Sequence, residues 1–471
     1  AWVFIVFSAV AISLGWGLRG FIGGGPFAAL IPGTYMALTL SMLLGHGMKQ
    51  AASLALFCSV GVGLGGDMTY GQTLGLAIGN TSLGEDTLLW GLFAVWVKGA
   101  VWGLIAGAFL GVGLTRRHYS KMAIAIGIVL SMVAFYVGVK LINDPKLIYF
   151  SDPGDKPRAE SWAGLLLAAL ALLAFMRSRT QGEHATIPLR FALWGIVGGG
   201  FGFSLGTLWM VFETPLAEGH VRWFGSWKAM EFSFGLLLGG FWGLCAYLNR
   251  GRLVPDPDED GEVSPSVSRW SAFGVFAIVA TAFYIFPGVL NTLPENPEEY
   301  TLLHSLIQLT IGSVQEMYYT FIFFGGVCIL VALHSARAAW HVAIGVMFFH
   351  VLKDFNEDMM SENGFNMPVS LGWVILVGGL LAVVFLTERF AREERPLRNL
   401  YLLSVWSCMI IAMVKLVLQK AYWLPAEGET AGLSLMFTKH LSAGNLLLLY
   451  IVTAVITTVF VCKQSKLVEA T

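Results

Sequence analysis

Charged side chains are scarce in this sequence. Asp, Glu, Lys and Arg together make up 13% of its 471 residues, whereas soluble proteins carry about 25%. Hydrophobic residues make up 56%, the mean hydropathy is +0.70, and no segment is both long and polar enough to form a soluble domain. The composition therefore predicts an all-α polytopic integral membrane protein, with residues 1–471 as a single transmembrane domain. The net charge of −1 indicates no particular partner. We expect the protein to contact the lipid bilayer and not to bind nucleic acid.

Motifs that would identify an enzyme or a metal centre are also missing. We find no HExxH, no DxD-like loop motif and no nucleophile constellation. The glycine-rich stretch 198–206 lacks the strand that a dinucleotide-binding motif needs. The cysteines have no CxxC spacing and are typical of packing residues, so we expect neither a disulfide framework nor a metal cluster. These cysteines are Cys58, Cys245, Cys328, Cys408 and Cys462.

Long apolar runs recur along the chain, and each is close to the roughly 17 to 25 residues that a transmembrane helix needs. The connections between them alternate between basic and acidic or mixed. By the positive-inside rule, this alternation predicts about fourteen helices with both termini cytoplasmic. The first run lacks a basic n-region and a cleavage site, so we interpret it as a retained helix in a bacterial cytoplasmic membrane. The basic connections are 46–50, 115–121, 177–190, 249–252, 334–341, 387–398 and 463–466.

Glycine spacing predicts internal repeats. Two sets of three glycines match at a constant offset of 132 residues, namely Gly103, Gly107 and Gly111 with Gly235, Gly239 and Gly243. Together with weaker matches, they predict a half unit (1–50) followed by three tandem four-helix repeats in the same orientation (51–176, 177–333 and 334–471). Glycines four apart allow helix backbones to approach closely in a membrane. Aligning 16–25 with 194–202 places Arg19 opposite Val197, so charge does not follow the repeat.

A few ionisable residues fall inside the predicted helices, most of them in the outer halves and Glu316 toward the middle of its helix. Because a charge in lipid is costly, such residues are candidates for a functional site. We expect Arg19 to pair with Asp67, and Lys98 with Glu231. Lys140, Lys415 and Glu213 are better explained as interfacial residues. The predicted solute-binding residues are Arg19, Asp67, Lys98, Glu231, Glu316 and His350.

One predicted helix concentrates metal-ligand types. His350, Asp354, Glu357 and Asp358 follow i, i+4, i+7, i+8 spacing, which places them on one helical face. Such a face can relay protons or supply part of a metal shell, with His350, Asp354 and Glu357 as the predicted ligands. The alternative is a solvated helix end at which Lys353 offsets the acids.

These observations favour a transporter or permease for a polar or anionic solute, with an outward-facing cavity of mixed charge. Repeated architecture and glycine-broken helices are common in transporters. A second hypothesis is a non-catalytic membrane subunit that docks a protein partner through the outer loops 141–160, 213–229 and 420–437. A third is a membrane-embedded enzyme that acts on a lipid-linked substrate at the outer leaflet, with His350, Asp354 and Glu316 as acid, base or metal ligands. The sequence names no cofactor.

Overall fold

A computed structural model describes residues 1–68, 70–84, 87–154, 157–216, 225–253, 255, 301, 317–361, 366–418, 434–438 and 441–469. The secondary structure of these residues is helical. The helices of the first half are α1 (Trp2–Arg19), α2 (Gly25–Ala28), α3 (Leu30–Leu44), α4 (Met48–Gly65), α5 (Gly71–Ala77), α6 (Leu88–Leu114), α7 (Lys121–Gly138) and α8 (Trp162–Arg179). They are followed by α9 (Ile187–Leu216), α10 (Ser226–Asn249), α11 (Met317–His334), α12 (Ala336–Met360), α13 (Val369–Phe390), α14 (Pro396–Leu418), α15 (Ser434–Thr438) and α16 (Leu441–Glu469).

Eleven helical segments of the described chain are long and apolar enough to cross a membrane. Their burial differs, since 83% of the α4 span is enclosed by protein but only 11% of the α13 span. On α13, Trp373 is 63% exposed and Phe385 is 64% exposed. Large apolar side chains exposed along a whole helix mark a surface that contacts lipid or another protein. The prediction of a polytopic helical membrane protein is confirmed, with α4 largely enclosed and α13 largely exposed.

Short polar and glycine signals set the helix ends. Ser120 and Ser335 accept hydrogen bonds from the backbone N–H groups of Ala123 and Ala338, and so cap α7 and α12. Gly45 ends α3 in the left-handed region, at φ +74°. The chain therefore reverses sharply at the membrane edge.

The directions of the helices define two opposite ends of the bundle. At the first, called the Arg19 end, α1 and α4 finish and α6 and α10 begin. At the other, called the Arg337 end, α4 and α12 begin and α13 finishes. Contacts between elements distant in sequence confirm these groupings. Lys415 near the end of α14 bonds to Phe21 after α1, and Met48 lines one cleft with Arg337.

Glycines bring α6 against α9, and α10 against α1, almost backbone to backbone. A Cβ atom at Gly103 would collide with the carbonyl oxygen of Gly195, and one at Gly235 would lie 2.6 Å from that of Ile12. Both contacts continue along the helices at four-residue spacing. The α6 glycines at 103, 107 and 111 meet the carbonyl oxygens of residues 195, 191 and 187, while the α10 glycines at 235, 239 and 243 meet those of residues 12, 8 and 4.

The two contacts share one register. The α9 and α1 carbonyl positions, 195 and 12, 191 and 8, 187 and 4, each differ by 183. This packing register places Arg19 opposite Gly202, about one and a half helical turns from the Val197 that the sequence alignment predicts. The two registers differ because apolar glycine-rich strings align equally well in more than one register.

Four aromatic rings fill the space where these helices meet. The Trp16 ring of α1 lies 4.9 Å from Trp102 of α6 and 4.3 Å from Phe234 of α10, measured between centroids. The Phe203 ring of α9 lies 5.0 Å from Phe234. Edge-on and tilted ring contacts of this kind add to apolar packing. The helices α1, α6, α9 and α10 therefore form one packed unit.

We predict that Gly103→Ala destabilises the protein by about 1–3 kcal/mol, because the new methyl group collides with α9 backbone that cannot rotate away. Gly378→Ala on α13 is the matched control, since a Cβ there meets nothing within 4 Å. The control should be stabilised by up to about 1 kcal/mol, because alanine has a higher helix propensity than glycine. Thermal unfolding in detergent, followed by size-exclusion chromatography, compares the two variants. Equal melting temperatures would contradict the close contact.

Candidate functional site

Arg19 is the last residue of α1, and its side chain is only 3% exposed. The chain reverses directly after it, through residues 20–26, here called the reversal loop. Gly24 and Gly25 take φ values of +87° and +64°, which favour glycine. The loop folds back over the arginine, so that Nη2 donates to the carbonyl oxygen of Gly25 at 3.2 Å. The arginine is thus enclosed by its own chain.

Aromatic rings surround the rest of the guanidinium. Its Cζ lies 5.9 Å from the Trp16 ring centroid, 5.6 Å from that of Tyr70 and 5.4 Å from that of Trp102. Nη1 donates to the Tyr70 hydroxyl at 2.5 Å. Ring faces attract a cation, and the attraction strengthens when water is excluded. The cage therefore holds the cation in place without neutralising it.

Two features of Arg19 remain unsatisfied within the described part of the chain. Nε is buried and has no hydrogen-bond partner. No described carboxylate lies within ion-pairing distance of the guanidinium. A buried charge without a counter-charge is costly in a membrane protein, and such residues are commonly functional. Arg19 is therefore the first candidate for binding an anion.

Asp67 lies two residues beyond α4 and is fully buried. Neither carboxylate oxygen has a hydrogen-bond partner among the described residues. The predicted Arg19–Asp67 ion pair is wrong, although Gly66, the residue before Asp67, contacts the reversal loop. The turn at Gly66 packs on Pro26, with 2.6 Å between a built Cβ and the proline Cα. Burial raises the pKa of the Asp67 carboxyl well above its ordinary value of 3.8.

Glu231 lies at the start of α10 and is 1% exposed. Lys228 Nζ lies 2.6 Å from Oε2 of Glu231, and Trp227 Nε1 donates to Oε1 at 3.1 Å. The carboxylate stands over Gly20 of the reversal loop, where a Cβ would collide with Oε1. The Trp227 ring stacks on Tyr70 with 6.0 Å between centroids. Tyr70 thus contacts both Arg19 and the Glu231 cluster.

Lys98 belongs to a separate, internal network. The predicted Lys98–Glu231 pair is wrong, because Lys98 Nζ donates to Glu160 Oε1 at 2.7 Å and to Thr73 Oγ1 at 2.7 Å. Ser151 Oγ also donates to Glu160 Oε1, at 2.8 Å, and the Phe150 N–H donates to Oε2 at 3.1 Å. Both charges are buried and well bonded. This network joins α5 and the loop before α8 to α6, so Lys98 supports the structure.

Lys415 is buried as well, against the prediction that it lies at the interface. Its Nζ donates to the Phe21 carbonyl oxygen at 2.6 Å and lies 3.2 Å from Asp354 Oδ2. Asp358 also pairs with it. The ammonium lies 5.4 Å from the Phe21 ring centroid, and Lys228 lies 6.0 Å from the same ring. The reversal loop therefore lies between Lys415 and Lys228. The sequence predicts an interfacial position for Lys415 and does not single out Lys228.

The predicted metal ligands on α12 face different partners. Glu357 pairs with Lys353, and Asp354 with Lys415. His350 lies against the reversal loop, where a Cβ at Gly23 would be 3.1 Å from Nε2. Within the described chain, no three His, Cys, Asp or Glu residues form a group that could hold a metal ion.

Three of the predicted solute-binding residues therefore border the reversal loop, namely Arg19, Glu231 and His350, and Asp67 follows Gly66, which packs on Pro26 of that loop. Lys98 lies in the internal network, and Glu316 lies outside the described residues. Sequence reasoning missed Tyr70, Lys228 and Glu160. Lys228 and Glu160 were assigned to outer loops, where charge is unremarkable.

We predict that Lys98→Met destabilises the protein by about 3–5 kcal/mol, because it leaves Glu160 buried without a counter-charge. The double variant Lys98→Met with Glu160→Gln recovers most of the loss, since neither charge then remains. Melting temperatures of the single and double variants in detergent measure the coupling. Additive losses would contradict a direct ion pair.

We predict a pH-dependent stability difference between the wild type and Asp67→Asn. The folded state holds the Asp67 proton more tightly than the unfolded state, so this residue's contribution to stability falls as pH rises above 3.8. The melting temperature of Asp67→Asn should therefore gain on that of the wild type between pH 4 and neutrality. A difference that stays constant over this range would argue against the buried, unpartnered carboxyl.

Comparisons with protein-family models, with curated proteins and with solved structures find no match for this chain.

Proposed function

We propose that this protein is a membrane transporter for a small anionic solute, and that Arg19 is the group that binds the anion. The observation that carries the proposal is the buried guanidinium, which has an unpartnered Nε and no carboxylate in ion-pairing distance within the described chain. A carboxylate or phosphate oxygen is the natural acceptor for such a donor. The surrounding rings of Trp16, Tyr70 and Trp102 exclude water, which strengthens the attraction.

Solute access requires movement of the reversal loop, because Arg19 is 3% exposed in the observed conformation. Glycines at 20, 23, 24 and 25 give this segment the backbone freedom that such movement needs. Glu231, Lys415 and His350 all contact the loop. Opening of the loop would therefore break its contacts with these three side chains.

Asp67 supplies a second element of a transport mechanism. Its carboxyl is buried and adjoins Gly66, which packs on Pro26 of the same loop, and burial raises its pKa so that it binds a proton more tightly. We infer that it carries a proton when the site is closed and exchanges it when the loop opens. An anion on Arg19 and a proton on Asp67 would then move together as a neutral load, which reduces the cost of crossing the membrane.

The orientation that we propose puts the Arg19 end outside. Basic residues gather at the opposite end, as the positive-inside rule requires of the cytoplasmic side. They include Lys49, Arg116, Arg117, Lys121, Arg177, Arg179, Arg252, Arg337, Arg389 and Arg392. The two termini would then be cytoplasmic, with about fourteen helices in a bacterial inner membrane.

The repeat is supported by the matched glycine contacts. Equivalent glycines on α6 and α10 meet carbonyl oxygens on α9 and α1 in a single register. We infer that α10 repeats α6 and that α1 repeats α9, as helices of the half unit and three four-helix repeats expected from the sequence. Pseudo-symmetric helix pairs that can move against each other are a common basis for transport.

The test is anion binding followed by flux. Purified protein is titrated with chloride, acetate, lactate, glutamate and inorganic phosphate while its melting temperature is followed. An anion present at 100 times its dissociation constant should stabilise the wild type by about 2.7 kcal/mol. Flux of the same anion is then measured in proteoliposomes with an internal pH dye.

Arg19→Gln should abolish both the stabilisation and the flux. The matched control is Lys140→Gln, which removes a positive charge at the same end from a side chain that is 49% exposed. This control should behave as the wild type. Stabilisation and flux that survive in Arg19→Gln would exclude Arg19 as the anion site, and an anion response without any flux would exclude transport.

A further inference from the structure

Two histidines are stacked at the Arg337 end, away from the reversal loop. His118 ends the short turn 116–118 between α6 and α7, and His184 lies in the turn 183–186 before α9. Their ring centroids are 3.9 Å apart, and the planes of the rings differ by 18°. Both residues are partly exposed. Two groups that can each take a proton near neutral pH therefore lie face to face.

The stack extends the close contact between α6 and α9 beyond the glycines. A Cβ atom at Gly111, near the end of α6, would collide with the Cα atom of Pro188 at the start of α9. The chain reaches His118 shortly after Gly111, and it passes His184 shortly before Pro188. The two rings thus join the same pair of helices, just past the last of their glycine contacts.

Arg117 fixes the protonation state of His118. The Nε–H of Arg117 donates to Nε2 of His118 at 3.2 Å. An arginine side chain can only donate, so Nε2 of His118 must accept, and the ring is neutral with its proton on Nδ1. A proton on Nε2 would set two donors against each other and place a second positive charge beside the guanidinium. The observed arrangement therefore requires a neutral His118.

Charged groups from several elements surround the stack within the described chain. Partial burial, the facing His184 and the adjacent Arg117 all lower the pKa of His118 from its ordinary value of 6.5. Glu183, the neighbour of His184, pairs with Arg252 after α10. The other described ionisable side chains on or beside these turns include Arg116, Tyr119, Lys121, Arg177, Arg190 and His46.

We propose that the His118–His184 stack is a pH-sensitive clasp, which holds the α6–α7 turn against the start of α9 while His118 is neutral and releases it when His118 takes a proton. Protonation breaks the hydrogen bond from Arg117 and sets a cation against a ring that can itself be charged. The clasp does not depend on the transport function proposed for Arg19.

The direction of the pH effect follows from the pKa of His118. Because this pKa is lower in the folded protein than in the unfolded chain, the folded protein binds the proton less tightly. The contribution of His118 to stability is therefore complete above pH 6.5, and it is lost as the pH falls through the lowered pKa.

The test measures the distance between the two turns in the full chain. Spin labels are attached to Lys121→Cys and Gln181→Cys, which replace exposed residues, in a Cys462→Ser background. The remaining native cysteines are buried. Pulsed electron spin resonance should give a narrow distance distribution at about pH 8 and a longer, broader one at about pH 5. An unchanged distribution at the acid pH overturns the proposal.

Two variants identify the titrating group. His118→Gln keeps an acceptor for Arg117 but takes no proton, and His118→Phe keeps a ring against His184 but takes no proton. Both should give the same distribution at the two pH values. His46 is retained in both, so a response that came from His46 would survive. A response in either folded variant that equals that of the wild type overturns the proposal.

His334→Gln is the matched control, because His334 is an exposed histidine at the same end that bonds to Leu330 of its own helix. It should respond to acid as the wild type does, and loss of the response in this control overturns the proposal. Thermal unfolding gives a second measurement. The melting temperature of the wild type minus that of His118→Gln should fall from about pH 8 to about pH 5. A constant difference contradicts the clasp.

Discussion

Close backbone contact between glycine-bearing helices is the constraint on which this structure depends. Apolar burial gives helices in a bilayer little reason to associate, because lipid tails are as apolar as their side chains. The α6–α9 and α10–α1 contacts supply that reason through packing at distances that leave no room for a Cβ atom. They also bring Trp16 and Trp102 together beneath Arg19. The surroundings of the arginine are therefore a product of how the helices pack.

The buried charges of this protein fall into two groups with different physical status. Lys98 and Glu160 satisfy each other and their neighbours, and they fasten a loop to the helical core. Arg19 and Asp67 retain unsatisfied polar atoms within the described chain. A fold gains nothing from unsatisfied buried charge, whereas a binding site requires it. This contrast favours a function at the reversal loop over one at the equally buried Lys98.

Composition and residue spacing were enough to predict the membrane helices and their close contacts. Apolar runs predicted the helices, alternating loop charge predicted which residues share an end of the bundle, and glycine spacing predicted where backbones meet. Ion-pair partners could not be predicted, because they depend on side-chain directions and on loops that fold inward. Glu160 lies 62 residues from Lys98, in a connection whose sequence predicts a solvated loop. The sequence likewise predicts an interfacial position for Lys415, although this residue is buried and pairs with Asp354 and Asp358. The helix register was ambiguous for a similar reason. The sequence alone aligns Arg19 with Val197, whereas the backbone contacts place it opposite Gly202.

Tyr70 has a consequence for communication within the molecule. Its hydroxyl is committed to Arg19, and its ring is stacked on Trp227, whose indole N–H is committed to Glu231. A group that displaces the hydroxyl would also act on the stacked Trp227 ring at the start of α10. If an anion binds Arg19 as proposed, its effect on the Lys228–Glu231 pair and the effect of that pair on anion binding are one coupling free energy. A single aromatic side chain thus connects two clusters on different helices.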